Sequence, residues 1–314
     1  MSAPVVVLAG GTGGAKLARG LLDVVGGDDL VVIANTGDDV ELYGAYVSPD
    51  PDLITFWLAD RIDARGWGLA DDTFEVMDGL RELGVEVWFN LGDRDLAIGI
   101  ERARALERGT RLTQAVADIA RALGVSARVL PMSDRPVRTR VLAGGHWWAF
   151  QEFMIRAAGR GPVEGVEFRG AAAAPATSEA LAAIAQARAI VIGPSNPIVS
   201  IGPILATRGV RDALARSRAP IVAVSPLVRG DVLKGPTVAL MHWAGHPLSS
   251  DGIAAAYAGL ADGLVADEAT PRMATLETDV LMDTPTRRRQ LAEVTLEFAL
   301  ALRARADRAP GTSG

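Results

Sequence analysis

The chain has 314 residues, 49% of them apolar, a formal net charge of −6 and no cysteine. That is enough apolar chain to bury a sizeable core. The mild acidity leaves no generally basic surface for nucleic acid, and the missing cysteines exclude disulfides, thiolate zinc sites and cysteine nucleophiles. The first apolar run starts within five residues of Met1 with no basic segment before it, and no apolar run reaches the roughly 18 residues that span a bilayer. The expected setting is therefore cytoplasmic.

In chain order, short β-branched runs bounded by Gly, Asn or Pro alternate with helical patterns. Pro4–Leu8 predicts a buried strand, Ala15–Val25 a helix, Leu30–Ala34 a strand, Thr73–Leu83 a helix and Val85–Phe89 a strand. Thr113–Leu123 and Ser178–Ala187 predict helices, and Ala189–Ile192 and Ile221–Val224 two more strands. His146–Glu152 and Gly165–Gly170 read as extra strands with no helix between them, an insertion near 133–175. Asp283, Thr284 and Pro285 open a last helix into Leu302, with Pro in the first turn. Ala309–Gly314 is expected to be a disordered tail. Alternation of this kind indicates an α/β fold, a parallel sheet covered on both faces. No linker or repeat divides residues 1–308, so one domain is expected.

Five motifs carry chemistry. Gly10-Gly11-Thr12-Gly13-Gly14-Ala15-Lys16 follows a strand and opens a helix, where close backbone and the helix N-terminus suit an anion. Lys16 either contacts phosphate or is a solvated first-turn lysine; the sequence leaves both open. Asn35-Thr36-Gly37-Asp38-Asp39 ends the second strand, the edge where ligands gather in doubly wound folds. Its paired acids, with Asp50 and Asp52 shortly after, suit a hard cation such as Mg²⁺. Trp88-Phe89-Asn90-Leu91-Gly92-Asp93-Arg94-Asp95 offers rings to stack on a flat heterocycle, and Asn and Asp to bind its polar edge. Ser133-Asp134 marks another turn. Ser195-Asn196-Pro197, Ser200 and, after the next strand, Ser225 supply small polar groups on proline-fixed loops. His146, His242 and His246 form no metal pattern, and Arg287–Arg289 reads as a solvated helix face.

Together these strings resemble the 2-phospho-L-lactate transferase family, CofD in archaea and FbiA in actinobacteria. The matching stretches are GGTGGAKL, NTGDD, YGAYVSPD, GWG, WFNLGDRDLA, LPMSD, FQEF, GPSNPIVSIGPIL and SPLVRG, running from residue 8 to about residue 230. Leu53 stands where family members commonly have Thr. The resemblance implies a Rossmann-like, doubly wound, mainly parallel sheet with a smaller additional α/β region, a Mg²⁺ cofactor and a homodimer. It implies that the terminal ribityl hydroxyl of the deazaflavin Fo attacks a guanylylated phospho-acid, giving F420-0 or a variant and GMP. Phospholactate, phosphoenolpyruvate and phosphoglycerate all remain as the acid. Mg²⁺ on Asp38 and Asp50, with Asp52 nearby, would neutralise charge, and Asp39 or Asp93 would accept the hydroxyl proton. Substrate contacts are expected from Gly10, Gly11, Thr12, Gly13, Gly14, Lys16, Asn35, Trp88, Asn90, Gly92, Asp95, Ser133, Asp134, Ser195, Asn196, Pro197, Ser200 and Ser225. Two other readings are weighed against this. A YvcK-like nucleotide-sugar-binding regulator shares the glycine loop but not the GDRD or SNPIVSIGPIL strings. An NAD(P)-dependent oxidoreductase would want an acid at the tip of the second strand, where Asn35 stands.

Overall fold

The computed structural model describes residues 3–232 and 235–306, so the tail expected at 309–314 lies outside it. The elements of the first half are β1 (Val5–Ala9), α1 (Gly11–Val25), β2 (Leu30–Ala34), β3 (Val40–Leu42), β4 (Ala45–Val47), α2 (Pro49–Leu58), α3 (Glu75–Glu82), α4 (Asp93–Glu107), α5 (Leu112–Ala122) and β5 (Arg128–Pro131). Next come β6 (Arg138–Ala143), β7 (His146–Ala149), α6 (Phe150–Ile155), β8 (Val163–Arg169), α7 (Ser178–Gln186), β9 (Ala189–Ile192), a π-turn (Pro197–Ile201), α8 (Gly202–Ala206) and α9 (Val210–Arg216). The chain continues through β10 (Ile221–Val224), β11 (Leu227–Val228), β12 (Asp231–Val232), α10 (Thr237–Trp243), α11 (Ser250–Ala256), β13 (Gly263–Ala266), β14 (Ala274–Glu277) and α12 (Pro285–Ala306).

Seven strands form the central sheet in the order β14-β13-β10-β9-β1-β2-β5. Every pairing in it is parallel, for example Val5 with Leu30 and Ala9 with Ala34. This bears out the Rossmann-like α/β reading. The central strands are apolar at every position because both faces are covered. Alternate residues go to opposite cores: Val5, Val7 and Ala9 pack under α1, α2 and α12, while Val6 and Leu8 pack with Ile184, Ile204 and Tyr257. A separate antiparallel sheet, β7-β6-β8, spans residues 138–169.

Some elements differ from the sequence reading. Val85–Phe89 forms no strand; Val87 and Phe89 pack on a small satellite core with Met77, Leu91 and Leu96. The sheet position beyond β2 is taken by β5 instead. Strand β7 ends at Ala149 and helix α6 follows, so His146–Glu152 is only half strand. Asp50 and Asp52 lie in the first turn of α2 and not in a loop.

Helix α4 is docked by one buried cation. Arg102, fully buried, donates through Nη1 to the Tyr46 carbonyl at 2.9 Å and to Asp52 at 3.0 Å, and its Nη2 makes a second bond to Asp52. The fork joins α4 to α2 and β4 in the bidentate geometry that suits guanidinium and carboxylate. Removing one partner strands the other charge in the core. Asp52→Ala is therefore expected to lower unfolding stability by about 3–5 kcal/mol in urea titration, and the double substitution Asp52→Ala, Arg102→Met to recover a large part of that loss. No recovery would mean that Asp52 acts elsewhere.

Candidate active site

A cavity of about 1010 Å³ opens at the carboxyl ends of β1, β2, β9 and β10. Gly10, Gly11, Thr12, Gly13 and Lys16 line it, along with Asp38, Asp50, Leu53, Ser195, Asn196, Ser200 and Ser225. The glycine loop is tight because its neighbours demand it. A Cβ on Gly13 would stand 2.0 Å from the Pro194 carbonyl oxygen, and one on Gly14 would stand 2.7 Å from Ser195 Oγ. Two of the loop's amides are already used: Gly10 donates to Ser195 Oγ at 3.2 Å and Gly11 to Asp50 Oδ1 at 2.6 Å. An anion at this helix start falls to the later amides of the first turn, which have no partner within the helix. Gly14 itself lies behind the wall, against Ala9 and Ser195.

The four acids after β2 divide into two pairs. Asp38 and Asp50 line the cavity. Asn35, buried behind them, donates from Nδ2 to Asp50 Oδ2 at 2.9 Å, while its own oxygen accepts from the Gly37 amide at 2.8 Å. Asp38 Oδ1 is buried without a hydrogen-bond partner. Burial, then the neighbouring Asp50 carboxylate, hold the Asp38 carboxyl well above its ordinary range. Burial also pushes Asp50 up to about 6, against the Gly11 amide and Asn35, which favour its charged form. Two crowded carboxylates with an unmatched oxygen fit a hard divalent cation held by one or two protein carboxylates, with water and substrate phosphates completing the shell. Among the described residues no cluster of three or more acids or imidazoles could hold a metal by itself.

The second pair faces away from the cavity. Asp39 accepts from Tyr46 Oη at 3.0 Å and Ser48 Oγ at 2.7 Å, and burial pushes it up to about 7. Asp52 is committed to Arg102. The structure therefore brings neither Asp39, as a proton acceptor, nor Asp52, as a metal ligand, to the cavity wall.

The 88–95 segment is also divided. Trp88, Asn90, Gly92 and Asp95 line the cavity. Asp93 does not: its carboxylate accepts from the amides of Glu75 and Val76, both at 3.0 Å, and from Thr73 Oγ1 at 2.6 Å, capping α3. Asp72 returns the favour for α4, accepting from the amides of Arg94 at 2.9 Å and Asp95 at 3.2 Å. This reciprocal clasp requires Gly92, where a Cβ would meet Asp72 Oδ2 at 2.1 Å.

Other expected contacts turn out to hold loops in place. Asn196 Oδ1 accepts from the amides of Ile198 and Val199, and its Nδ2 donates to Thr237 Oγ1 at 3.0 Å. Pro197 is buried in the π-turn behind it. Ser225 Oγ accepts from the Leu227 amide. Ser133 donates to the Pro175 carbonyl, and Asp134 caps α5 through Thr113 and pairs with Arg111 at 2.7 Å, so neither reaches the cavity.

The family model for 2-phospho-L-lactate transferase CofD matches residues 5–298. The chain belongs to the CofD family. A 2-phospho-L-lactate transferase of Methanosarcina mazei is 36% identical over 302 residues, 93% of this chain and 99% of that protein. A phosphoenolpyruvate transferase of Kitasatospora aureofaciens is 39% identical over 273 residues, 84% of this chain and 85% of that protein. A Bacillus halodurans crystal structure superposes with a TM-score of 0.64 at 18% identity, covering 94% of this chain and 100% of that one, and this likeness shows the fold. The chain is thus a transferase of the CofD type.

Several cavity residues of this CofD-family transferase escaped the sequence reading. Asp72 precedes Thr73 and Phe74 as a polar residue before a helix, a signal usually read as that helix's own cap; here it caps the next helix instead. Trp67, Phe74, Phe150 and Thr237 also line the wall. Trp67 was visible only as part of the GWG string, and Thr237 follows a weakly matching stretch.

Two predictions concern the aspartates of α4. The Asp95 carboxyl is pushed up to about 7, by burial first and then by Asp52, with Arg102 opposing. A carboxyl whose folded pKa lies above its unfolded 3.8 costs stability once ionised. That cost grows from pH 3.8 to about 7 and is constant beyond. Asp95→Asn should therefore melt higher than the natural chain at pH 8, with the gap closing towards pH 4; a pH-independent gap would contradict the assignment. Asp93→Ala should speed hydrogen exchange at the Glu75 and Val76 amides and leave turnover largely intact. A loss of turnover of about a hundredfold or more, the size expected for a general acid–base group, would return Asp93 to the reacting groups.

Proposed function

We propose that this CofD-family transferase moves the phospho-acid part of a guanylylated donor onto the terminal ribityl hydroxyl of Fo and releases GMP. The observation that carries the reading is the opening of the glycine loop and the Asp38–Asp50 carboxylate pair onto one cavity that the aromatic Phe74 and Trp88 also line. Relatives named for phospholactate and for phosphoenolpyruvate transfer support a C3 phospho-acid as the group moved.

The reaction forms a bond from the acceptor oxygen to the phosphorus bearing the acid and breaks that phosphorus's bond to the bridging oxygen, which leaves with the electron pair as part of GMP. The hydroxyl proton passes to water or to the departing phosphate, Asp39 and Asp93 both lying outside the cavity wall. Charge grows on phosphate oxygens, so catalysis is mainly positioning and neutralisation. The first-turn amides of α1 and Lys16 would hold the diphosphate. Asp38 and Asp50 would hold Mg²⁺, which when bound supplies the positive charge the diphosphate needs. Asn35 and the Gly11 amide keep the Asp50 carboxylate aimed. The Ser195–Ser200 loop, braced by Asn196 on Thr237, forms the side for the guanosine half. In this reading the hydroxyl and the diphosphate come together over the carboxylate pair.

Mass spectrometry of products from purified protein, Fo and each guanylylated phospho-acid tests the reading directly. Asp38→Asn and Asp50→Asn are each expected to lower kcat by about a hundred- to a thousandfold, the loss typical when one charge-stabilising group is removed. Full turnover in excess chelator would refute the metal. A site built of edge hydrogen bonds rejects analogues that leave its groups unpaired, so GDP should compete with donor well and ADP poorly. Equal inhibition by the two would place guanine elsewhere.

A further inference from the structure

The proposed reaction leaves one acid of the Asn35–Asp39 motif without a part, and its bonds show what it holds. Asp39 is buried and faces away from the cavity. Its Oδ1 accepts from Ser48 Oγ at 2.7 Å and its Oδ2 from Tyr46 Oη at 3.0 Å. Ser48 is fully buried and occupies the N-cap of α2, where a serine hydroxyl ordinarily accepts from an amide of the helix's own first turn. Here it makes no such bond and is turned to Asp39 instead. The hairpin between them prepares the meeting. Strands β3 and β4 pair Val40 with Val47, which brings Asp39 and Ser48 opposite each other at the next step of the ladder. On its far side the same loop is fastened to β6. The Thr139 amide donates to the Gly37 carbonyl at 2.8 Å, and a Cβ on Gly37 would stand 2.5 Å from Thr139 Oγ1.

We infer that Asp39 is a positioning residue, and that its bond to Ser48 sets the separation of the Asp38 and Asp50 carboxylates and so the size of cation they accept. This rests on the function proposed above, in which those two carboxylates hold a divalent metal. Asp39 adjoins Asp38. Ser48 stands two residues before Asp50, with Pro49, whose ring fixes φ, between them. The bond therefore closes the short path from one carboxylate to the other. Asp50 is aimed by two donors of its own, the Gly11 amide and Asn35 Nδ2, so the clasp acts on the Asp38 side. A serine serving only the start of α2 would cap that helix. Mg²⁺ demands near-ideal octahedral geometry at short bonds, whereas Ca²⁺ accepts longer bonds and more flexible arrangements. Two carboxylates held at a fixed separation therefore favour the smaller ion.

The test measures cation binding on Ser48→Ala, Ser48→Gly and Tyr46→Phe, with thermal melting to confirm that each folds. Glycine is well tolerated at a helix N-cap, so Ser48→Gly repeats the deletion with little cost to α2. Mn²⁺ binding is read from the resonance of the free ion, and Mg²⁺ and Ca²⁺ binding from its displacement. Both Ser48 variants are expected to weaken Mg²⁺ binding by about 10- to 100-fold, the range for losing a group that orients a metal ligand. Ca²⁺ binding should fall by less, so the preference for Mg²⁺ over Ca²⁺ narrows. A mere change of charge behind the site would move both cations alike. Tyr46→Phe keeps the Ser48 bond and should keep the preference. GDP binding in excess chelator should be unchanged in all three. A preference unaltered in both Ser48 variants, or narrowed as far by Tyr46→Phe, would overturn the clasp. If the natural chain itself takes up no Mn²⁺, the metal of the proposed function fails and the clasp with it. Uptake by the natural chain with an unaltered preference in the variants sinks the clasp alone.

Discussion

The site depends on the carboxylate of Asp50. One oxygen accepts from the Gly11 amide and the other from Asn35 Nδ2, so a single side chain joins the glycine loop after β1, the end of β2 and the start of α2. These segments are 39 and 15 residues away in sequence. Burying such a group is unfavourable unless its hydrogen-bonding capacity is met. Here two donors meet part of it, and the geometry of both fixes where the carboxylate points. Asp38 stands close enough to feel that charge and keeps an unmatched oxygen. The apposition of two buried acids is destabilising in itself, and in folded proteins such local costs concentrate where a ligand relieves them.

Behind the cavity lies a second ionic layer whose task is mechanical. Arg102 from α4 grips Asp52 of α2, and Asp39 is held by Tyr46 and Ser48. Arg138 lies over the Tyr46 ring at 5.8 Å and is the largest opposing influence on the upward shift of Asp39. This layer fixes the angle at which α4 meets α2, and so sets how far the 88–95 rim stands from the carboxylate pair. A lysine would be a poor substitute for Arg102, because one ammonium cannot make the forked contact to Asp52 while also reaching the Tyr46 carbonyl.

The readable parts of the fold were those with a strong, unbroken signal. Strands β1, β2, β9 and β10 are continuous β-branched or aliphatic runs because they are buried on both faces. Strand β5 begins with Arg128 and ends with Pro131, and β14 is an edge with exposed ends, so neither shows such a run. Val85–Phe89 shows the opposite failure: its apolar residues read as a strand, but Val85 is exposed, Val87 and Phe89 pack on the satellite core, and the stretch pairs with no strand. The glycine loop was legible because close packing leaves no choice of residue at Gly13 and Gly14. Asn196 was legible as a loop residue, while its use as a brace depends on Thr237, 41 residues away.

The aspartates were harder, and the reason is helical phase. Asp50 and Asp52, like Asp93 and Asp95, are two apart in the first turn of a helix. At 3.6 residues per turn, such neighbours project about 200° apart. One member of each pair must therefore turn away from whatever its partner faces. In α2 the first acid takes the cavity and the second the Arg102 anchor; in α4 the first takes the α3 cap and the second the cavity. Read as loops, all four are equally free to bind metal or substrate. Once both stretches are helix starts, only one acid per helix can serve the cavity, and the other is left to hold that helix in place. The D-x-D spacing thus gives each helix one acid for the cavity and one for its anchor, and it is the anchors that keep the cavity-facing acids at a fixed separation.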